Sequence, residues 1–134
     1  MKVLLADDSE LILERLREIF YTFGQVEIVA SLRNGNDALA ALRMLNPDLA
    51  IIDIRMPGLS GLEVLNQIRK ENKTIKIIIF TLYSSDLYKQ LADLLGADYF
   101  FSKVDDFDRM ALTVSEMILK LDKDKTERSL ILKN

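Results

Sequence analysis

Two hydrophobic periods alternate along the chain. Short aliphatic or β-branched runs (Val3 to Ala6, Val26 to Ala30, Leu49 to Asp53, Lys76 to Thr81, Asp98 to Phe101) are separated by longer stretches with helical spacing. The pattern predicts five strand–helix units. The first helical stretch sets Leu11, Leu13, Leu16, Ile19, Phe20 and Phe23 mostly on one side, with Gly24 as its stop. Asn34-Gly35-Asn36 forms a turn and cap ahead of Ala38, Leu39, Ala41, Leu42 and Leu45, and Asn46-Pro47 ends that helix. Pro57-Gly58 and Gly61 bracket a loop before Leu62, Val64, Leu65 and Ile68, and a fourth helix from Asp86 to Leu95 closes at Gly96. The fifth carries Phe107, Met110, Ala111, Val114, Met117, Ile118 and Leu121 in a strongly amphipathic pattern.

Strand runs that are apolar throughout, rather than alternating, imply a sheet covered on both faces. Right-handed crossovers then give an α/β, (βα)5 three-layer sandwich whose βα loops all open at one edge. A length of 134 residues suits one domain with a substantial core. Apolar residues at 49% and charged residues at 29% are ordinary for a globular chain. No apolar stretch reaches the roughly 20 residues of a membrane span. The start, Met1 to Asp8, is too short and too acidic for a secretory signal, so no membrane association is expected and the cytoplasm is the default location. Cysteine is absent, so redox chemistry does not report the compartment. A net charge of -3 and a pI near 5.0 disfavour direct nucleic-acid binding. The absence of histidine removes imidazole acid–base catalysis and imidazole zinc ligands.

The polar residues that end the strand runs are Asp7 and Asp8, Asp53, Thr81 and Lys103. In a parallel sheet they converge at the carboxyl edge, where such folds bind ligands. Singly, each has a plainer role available. Asp8 and Ser9 suit a helix cap, Asp53 a strand-end turn, Thr81 a strand interior, and Lys103 a solvated end. Together they are harder to explain that way. Two carboxylates about 5 Å apart repel by about 3 kcal/mol at an effective dielectric near 20, so three of them call for a cation. Oxygen-only donors suit a hard divalent ion such as Mg2+. Lys103 adds positive charge and Thr81 a hydroxyl donor, so a tetrahedral oxyanion near Asp53 is accommodated. The chemistry indicated is phosphoryl transfer to a carboxylate.

The chain resembles a response-regulator receiver domain, of flavodoxin-like fold, from Met1 to about Leu121. The residues that carry the resemblance are Leu4-Leu5-Ala6-Asp7-Asp8-Ser9, Pro47 through Asp53 to Leu65 (with Pro57 and Gly61), Ile78-Ile79-Phe80-Thr81, and Gly96 to Lys103. The steps of 45, 28 and 22 residues from Asp8 to Asp53, Thr81 and Lys103 in turn fit the family as well. The resemblance implies strand order 2-1-3-4-5. It also implies a signalling switch, not an enzyme with an external substrate, in which Asp53 accepts a phosphoryl group from the phosphohistidine of a histidine kinase or phosphotransfer protein. Mg2+ would be held by the carboxylates of Asp8 and Asp53 and the main-chain carbonyl of Arg55, with Asp7 assisting through water. Lys103 and Thr81 would complete the catalytic set. Thr81 and Phe100 are the implied switch residues, and Tyr83, Leu87, Tyr88 and Phe100 the signalling surface, with homodimerisation through the face of the fourth helix, fifth strand and fifth helix.

Three positions depart from the family pattern. Leu82 stands where a small residue is usual and is expected to crowd the pocket. Val104 follows Lys103 in place of the frequent Pro, which predicts a trans Lys103–Val104 bond. Phe100 has no hydroxyl, so any aromatic switching works by packing. Residues 1–121 form the expected receiver, and 122–134 a charged extension or truncated linker too short for an effector domain. A stand-alone receiver that signals by contact is slightly favoured over one separated from a DNA-binding or enzymatic half. The apolar triplet Leu130-Ile131-Leu132 is expected to dock on a neighbour. Other readings weighed are a receiver acting as a phosphorylation-independent interaction module, an aspartate-nucleophile phosphatase, whose Asp-x-Asp signature Asp53-Ile54-Arg55 does not meet, and a flavin binder, for which Asp7-Asp8 replaces the phosphate loop.

Overall fold

The computed structural model describes residues 1–133. Five strands, β1 (Lys2–Ala6), β2 (Glu27–Leu32), β3 (Leu49–Ile52), β4 (Lys76–Thr81) and β5 (Tyr99–Ser102), alternate with five helices. The helices are α1 (Glu10–Tyr21), α2 (Gly35–Leu45), α3 (Gly61–Glu71), α4 (Asp86–Leu95) and α5 (Phe107–Lys133). All strand pairs are parallel, in the order β2-β1-β3-β4-β5. The expected fold is the observed one.

Successive strand residues point to opposite faces, so a fully apolar strand feeds two cores at once. Leu4, Ala6, Ala50, Ile52, Ile77 and Ile79 pack with α2, α3 and α4, whereas Val3, Leu5, Leu49, Ile51, Ile78 and Phe80 pack with α1 and α5. Double coverage holds for β1, β3 and β4; the edge strands β2 and β5 are largely half-buried.

Helix starts follow local chemistry. Ser9, Asn34, Ser60 and Ser85 each cap a helix with a side-chain oxygen, and Ser60 forms a reciprocal capping box with Glu63. Asn46 and Gly96 end α2 and α4 in the left-handed conformation, as expected. Helix α1 differs at both ends of its expected face. Its buried set is Leu13, Leu16 and Phe20, and Leu11 is 77% exposed because two residues, about 200° of helix, separate it from Leu13. The helix stops at Tyr21 with Thr22 as cap, and Gly24, at φ +69°, reverses the chain beyond it.

The main chain aligns the carboxyl edge. Ala6 is level with Ile52, and Thr81 with Ser102. The first residues past the strands continue the ladder: Asp53 N–H donates to Ala6 C=O at 2.9 Å, Asp7 N–H to Leu32 C=O at 3.0 Å, and Lys103 N–H to Thr81 C=O at 2.9 Å. Gly61 lets α3 begin directly against this edge, since a Cβ there would lie 1.9 Å from the Asp53 carbonyl oxygen.

Two substitutions test these packing assignments. Leu65→Ala, at a fully buried position, is expected to cost about 2–5 kcal/mol. Gly61→Ala is expected to cost roughly 1–3 kcal/mol through forced backbone movement. Urea unfolding followed by circular dichroism checks both; a wild-type midpoint for Gly61→Ala contradicts the close approach.

Candidate functional site

Asp7, Asp53, Thr81 and Lys103 are buried at the carboxyl edge, whereas Asp8 is exposed at its rim. The ammonium of Lys103 lies between two carboxylates, 2.5 Å from Asp7 Oδ2 and 3.0 Å from Asp53 Oδ2. Each acid is further held by a main-chain donor: Ser9 N–H donates to Asp7 Oδ1 at 2.9 Å and Ile54 N–H to Asp53 Oδ1 at 2.8 Å. One carboxylate oxygen from each of Asp7, Asp8 and Asp53 lies within 4.8 Å of the other two. The three acids and the late amine therefore share one site, as their strand positions imply.

Burying two carboxylates with one ammonium leaves the desolvation of charge only partly offset. Desolvation pushes the Asp7 carboxyl above the usual carboxylate range, against the lowering pull of Lys103 and the Ser9 amide. Asp8 projects toward solvent, and its main-chain carbonyl accepts two hydrogen bonds from Arg33, from Nε at 3.2 Å and Nη2 at 2.7 Å. That fork fixes the loop carrying both early acids. Nothing in the local sequence marks Arg33 for this role; it depends on β2 lying beside β1.

Above Asp53 is a cavity of about 350 Å3 lined by Asp8, Leu11, Arg55, Leu82, Tyr83 and Lys103, among others. The Arg55 guanidinium stacks over the Tyr83 ring at 4.2 Å and joins the β3–α3 loop to the β4–α4 loop across the mouth. Leu82 is 61% exposed at the same mouth, so it narrows the entrance and does not fill the interior. Thr81 Oγ1 accepts from Tyr83 N–H at 3.1 Å and, among the described residues, makes no hydrogen bond to Asp53. The stack and this turn escaped sequence reasoning because each joins groups only the folded loops bring together.

Beyond Lys103 the chain is held without proline. No peptide bond is cis among the described residues, so Lys103–Val104 is trans as predicted. Asp106 Oδ2 accepts from Ser102 N–H at 2.9 Å, Asp106 N–H donates to Ser102 C=O at 2.9 Å, and Ser102 Oγ accepts from Val104 N–H at 3.2 Å. The Asp before the apolar run of α5 is a cap signal that could have identified Asp106. Phe100 is half-buried against the α2–α4 side of the sheet, with Tyr88 in the same cluster. Of the expected signalling surface, Leu87 at 64% and Tyr83 at 38% are exposed; Leu91 and Leu94 are exposed on α4 as well.

The Asp7 environment generates a pH prediction. A carboxyl whose folded-state pKa is raised lets the unfolded chain release its proton first. Stability therefore falls as pH rises from about 3.8 toward the raised value, then stays level. Asp7→Asn removes this loss, so the stability of the variant minus that of wild type should grow with pH over that window and then plateau. Urea midpoints measured from about pH 3.5 to 7.5 check it; a difference that shrinks with rising pH contradicts the assignment.

The chain matches the model of the response regulator receiver domain over residues 3–115. It is 35% identical over 104 residues to the DNA-binding transcriptional activator EvgA of Escherichia coli, covering 77% of this chain and 50% of EvgA. Among solved structures, a LuxR-family DNA-binding response regulator from Staphylococcus aureus superposes with a TM-score of 0.80 at 31% identity, covering 87% of this chain and 98% of that one. A chain of the CheX–CheY–BeF3–Mg2+ complex from Borrelia burgdorferi superposes with a TM-score of 0.77 at 25% identity, covering 89% of this chain and 88% of that one. The chain spans between 23% and 59% of the length of its curated relatives. Strand order, edge geometry and these matches agree: the chain belongs to the response regulator receiver domain family.

Proposed function

We propose that the protein is a phosphorylation-activated switch in which Asp53 is the phosphoacceptor. The observation that carries this reading is the buried Asp53 carboxylate at a strand end, held against Lys103 and opening on a cavity. The donor is the phosphohistidine of a histidine kinase or phosphotransfer protein. An oxygen of Asp53 forms the new bond to phosphorus as the phosphorus–nitrogen bond breaks, and the imidazole leaves with its electron pair. Asp53 needs only to be fixed in line, because phosphoryl transfer depends mainly on positioning and charge stabilisation. Lys103 supplies one fixed positive charge. The chain is substrate and part of its own catalyst, without turnover of an external substrate.

The oxygen donors fit a hard divalent cation, since three carboxylates converge within 4.8 Å and only two of them meet Lys103. Asp8, Asp53 and the Arg55 carbonyl would hold Mg2+, with Asp7 assisting through water. When bound, the ion neutralises charge on the transferred group. The solved relative complexed with BeF3 and Mg2+ supports this choice of ion.

The switch follows from Thr81. The Thr81 hydroxyl accepts from the Tyr83 amide and keeps its own proton to donate to a phosphoryl group on Asp53, and drawing it there moves the β4–α4 loop and loosens the Arg55–Tyr83 stack. A charge-assisted hydrogen bond supplies about 1.5–3 kcal/mol, whereas taking a two-state equilibrium from 1:99 to 99:1 needs about 5.5. The Thr81 hydroxyl and the Leu82 amide must therefore act with Lys103. The output surface is the exposed part of α4, β5 and α5, with Phe100 repacking beneath it. It serves a downstream effector protein, an effector domain in a longer chain, or a homodimer. Residues 1–121 act as the receiver and 122–134 as an extension or linker. No described helix is long and apolar enough to cross a membrane, and the proposed location is the cytoplasm.

A second reading, an interaction module that works unphosphorylated, is favoured by Leu82 and the Arg55–Tyr83 stack at the cavity mouth. Incubation with Mg2+ and a phosphohistidine donor separates the two. The phosphoacceptor reading expects an intact-mass gain of one phosphoryl group, lost in Asp53→Asn. An unchanged mass under those conditions supports the second reading. Leu82→Ala is expected to speed both phosphorylation by small donors and hydrolysis by roughly 2–10-fold, a barrier change of about 0.4–1.4 kcal/mol; equal rates dismiss a gating role.

A further inference from the structure

Helix α5 lives in two environments. As far as Leu121 it packs on the sheet through Phe107, Met110, Val114 and Ile118, and beyond Leu121 every described residue is exposed. At ~1.5 Å per residue, the segment from Asp122 to Lys133 projects about 18 Å past the globule. It carries Leu130, Ile131 and Leu132 at 58%, 73% and 86% exposure. At the root of the projection, a groove of about 330 Å3 lies between α5 and the amino edge of the sheet, lined by Met1, Pro47, Met117, Leu121 and Asp124, among others. This groove is at the opposite end of the strands from Asp53. One chain thus carries an unpartnered apolar segment and an unpartnered groove, and a straight helix prevents the first from reaching the second.

The α5 residues lining the groove begin a stripe that continues down the projection: Met117, Leu121, Asp124, Arg128 and Ile131, at spacings of four, three, four and three. Such spacing keeps them on one side of the helix. The stripe is apolar at its ends and oppositely charged in the middle. Neither Asp124 nor Arg128 is in an ion pair among the described residues. Laid parallel against a second copy, it sets Asp124 against Asp124 and Arg128 against Arg128. Laid antiparallel about a twofold axis near Thr126, it sets Leu121 against Ile131 and Asp124 against Arg128, each pair occurring twice. Charge complementarity selects the antiparallel arrangement.

We propose that this side of α5 is a self-association surface whose occupant is the same segment of a second copy. Docked antiparallel, the partner's Ile131 and Leu132 enter the groove beside Met117, Leu121 and Pro47. The contact is isologous and closed, as twofold symmetry requires. A contact made by one helix segment and a groove is expected to fall below a standard interface of about 800 Å2 per partner, so association is reversible and depends on concentration. It uses neither Asp53 nor any residue of α4 or β5, only the side of α5 that borders the groove at the amino edge of the sheet, and it stands whether or not Asp53 is phosphorylated.

Sedimentation equilibrium on the whole chain, from about 10 μM to about 1 mM, tests the arrangement. Wild type is expected to show a monomer–dimer equilibrium, and Ile131→Glu to weaken it about 10-fold or more. Asp124→Lys and Arg128→Glu should each weaken it, and the double variant should return to within about 3-fold of wild type. Mixing the two single variants should also restore dimers, which separates pairing between chains from effects within one helix. Wild type monomeric over the whole range overturns the proposal. So does a dimer indifferent to Ile131→Glu, a double variant that fails to recover, or a dimer broken instead by Leu87→Glu on α4.

Discussion

The constraint on which the site depends is charge balance around Lys103. Its ammonium is buried and contacts two buried carboxylates, each carried by a different strand. Removing Lys103 would leave two buried carboxylates facing each other without a cation, and breaking a buried pair typically costs about 3–5 kcal/mol. The three groups meet because the sheet's register brings the ends of β1, β3 and β5 to one edge. Their charge balance also defines what an incoming group has to do. Under the proposed function, a phosphoryl group on Asp53 would bring new negative charge to a site whose fixed ammonium is already shared by two carboxylates. The fold sets this pocket between the strand ends, held by the ladder, and the two loops bearing Arg55 and Tyr83, which are joined by a cation–π stack.

Rigidity on the strand side has identifiable sources. Main-chain bonds from Asp7, Asp53 and Lys103 extend the parallel ladder past the last strand residues, so the functional side chains inherit the sheet's register. At the opposite edge, Arg69 donates to the carbonyls of Gly96 and Ile75 and pairs with Asp98, tying the end of α3 to the turn before β5. Phe107 opens α5 with an edge-on contact to Phe80, 4.7 Å between ring centres, and takes the Arg15 guanidinium on its face at 3.6 Å. The carboxyl edge is thus held from the sheet, from α1 and from the start of α5. The β4–α4 loop rests on fewer contacts, chiefly the Thr81–Tyr83 turn and the Arg55 stack.

Helix α5 runs from the carboxyl edge to the far end of the molecule. The helix is unbroken through Lys133, although burial ends after Leu121. Charged residues of good helix propensity continue a helix whose nucleus the globule already provides. The apolar triplet Leu130-Ile131-Leu132 near its end lies exposed, away from the packed part of the helix.

Period and punctuation in the sequence were enough to determine five strand–helix units, the double burial of the central strands, the caps at Ser9, Asn34, Asn46 and Gly96, and which residues stand at the carboxyl edge. These follow from local steric and hydrogen-bonding preferences and from hydrophobic spacing, all of which act over a few residues. The convergence of Asp7, Asp8, Asp53 and Lys103 could be anticipated once a parallel sheet was inferred. Which acids meet the lysine could not, and it is Asp7 and Asp53, with Asp8 left at the rim. The Arg33 fork on the Asp8 carbonyl, the Arg55–Tyr83 stack and the engagement of the Thr81 hydroxyl were likewise decided by tertiary structure. Each joins groups that lie on different loops or whose side-chain direction depends on neighbouring elements. Leu11 makes the same point in reverse: its hydrophobicity suggested the core, but the phase of α1, set by Leu13, Leu16 and Phe20 against the sheet, turned it toward the cavity mouth.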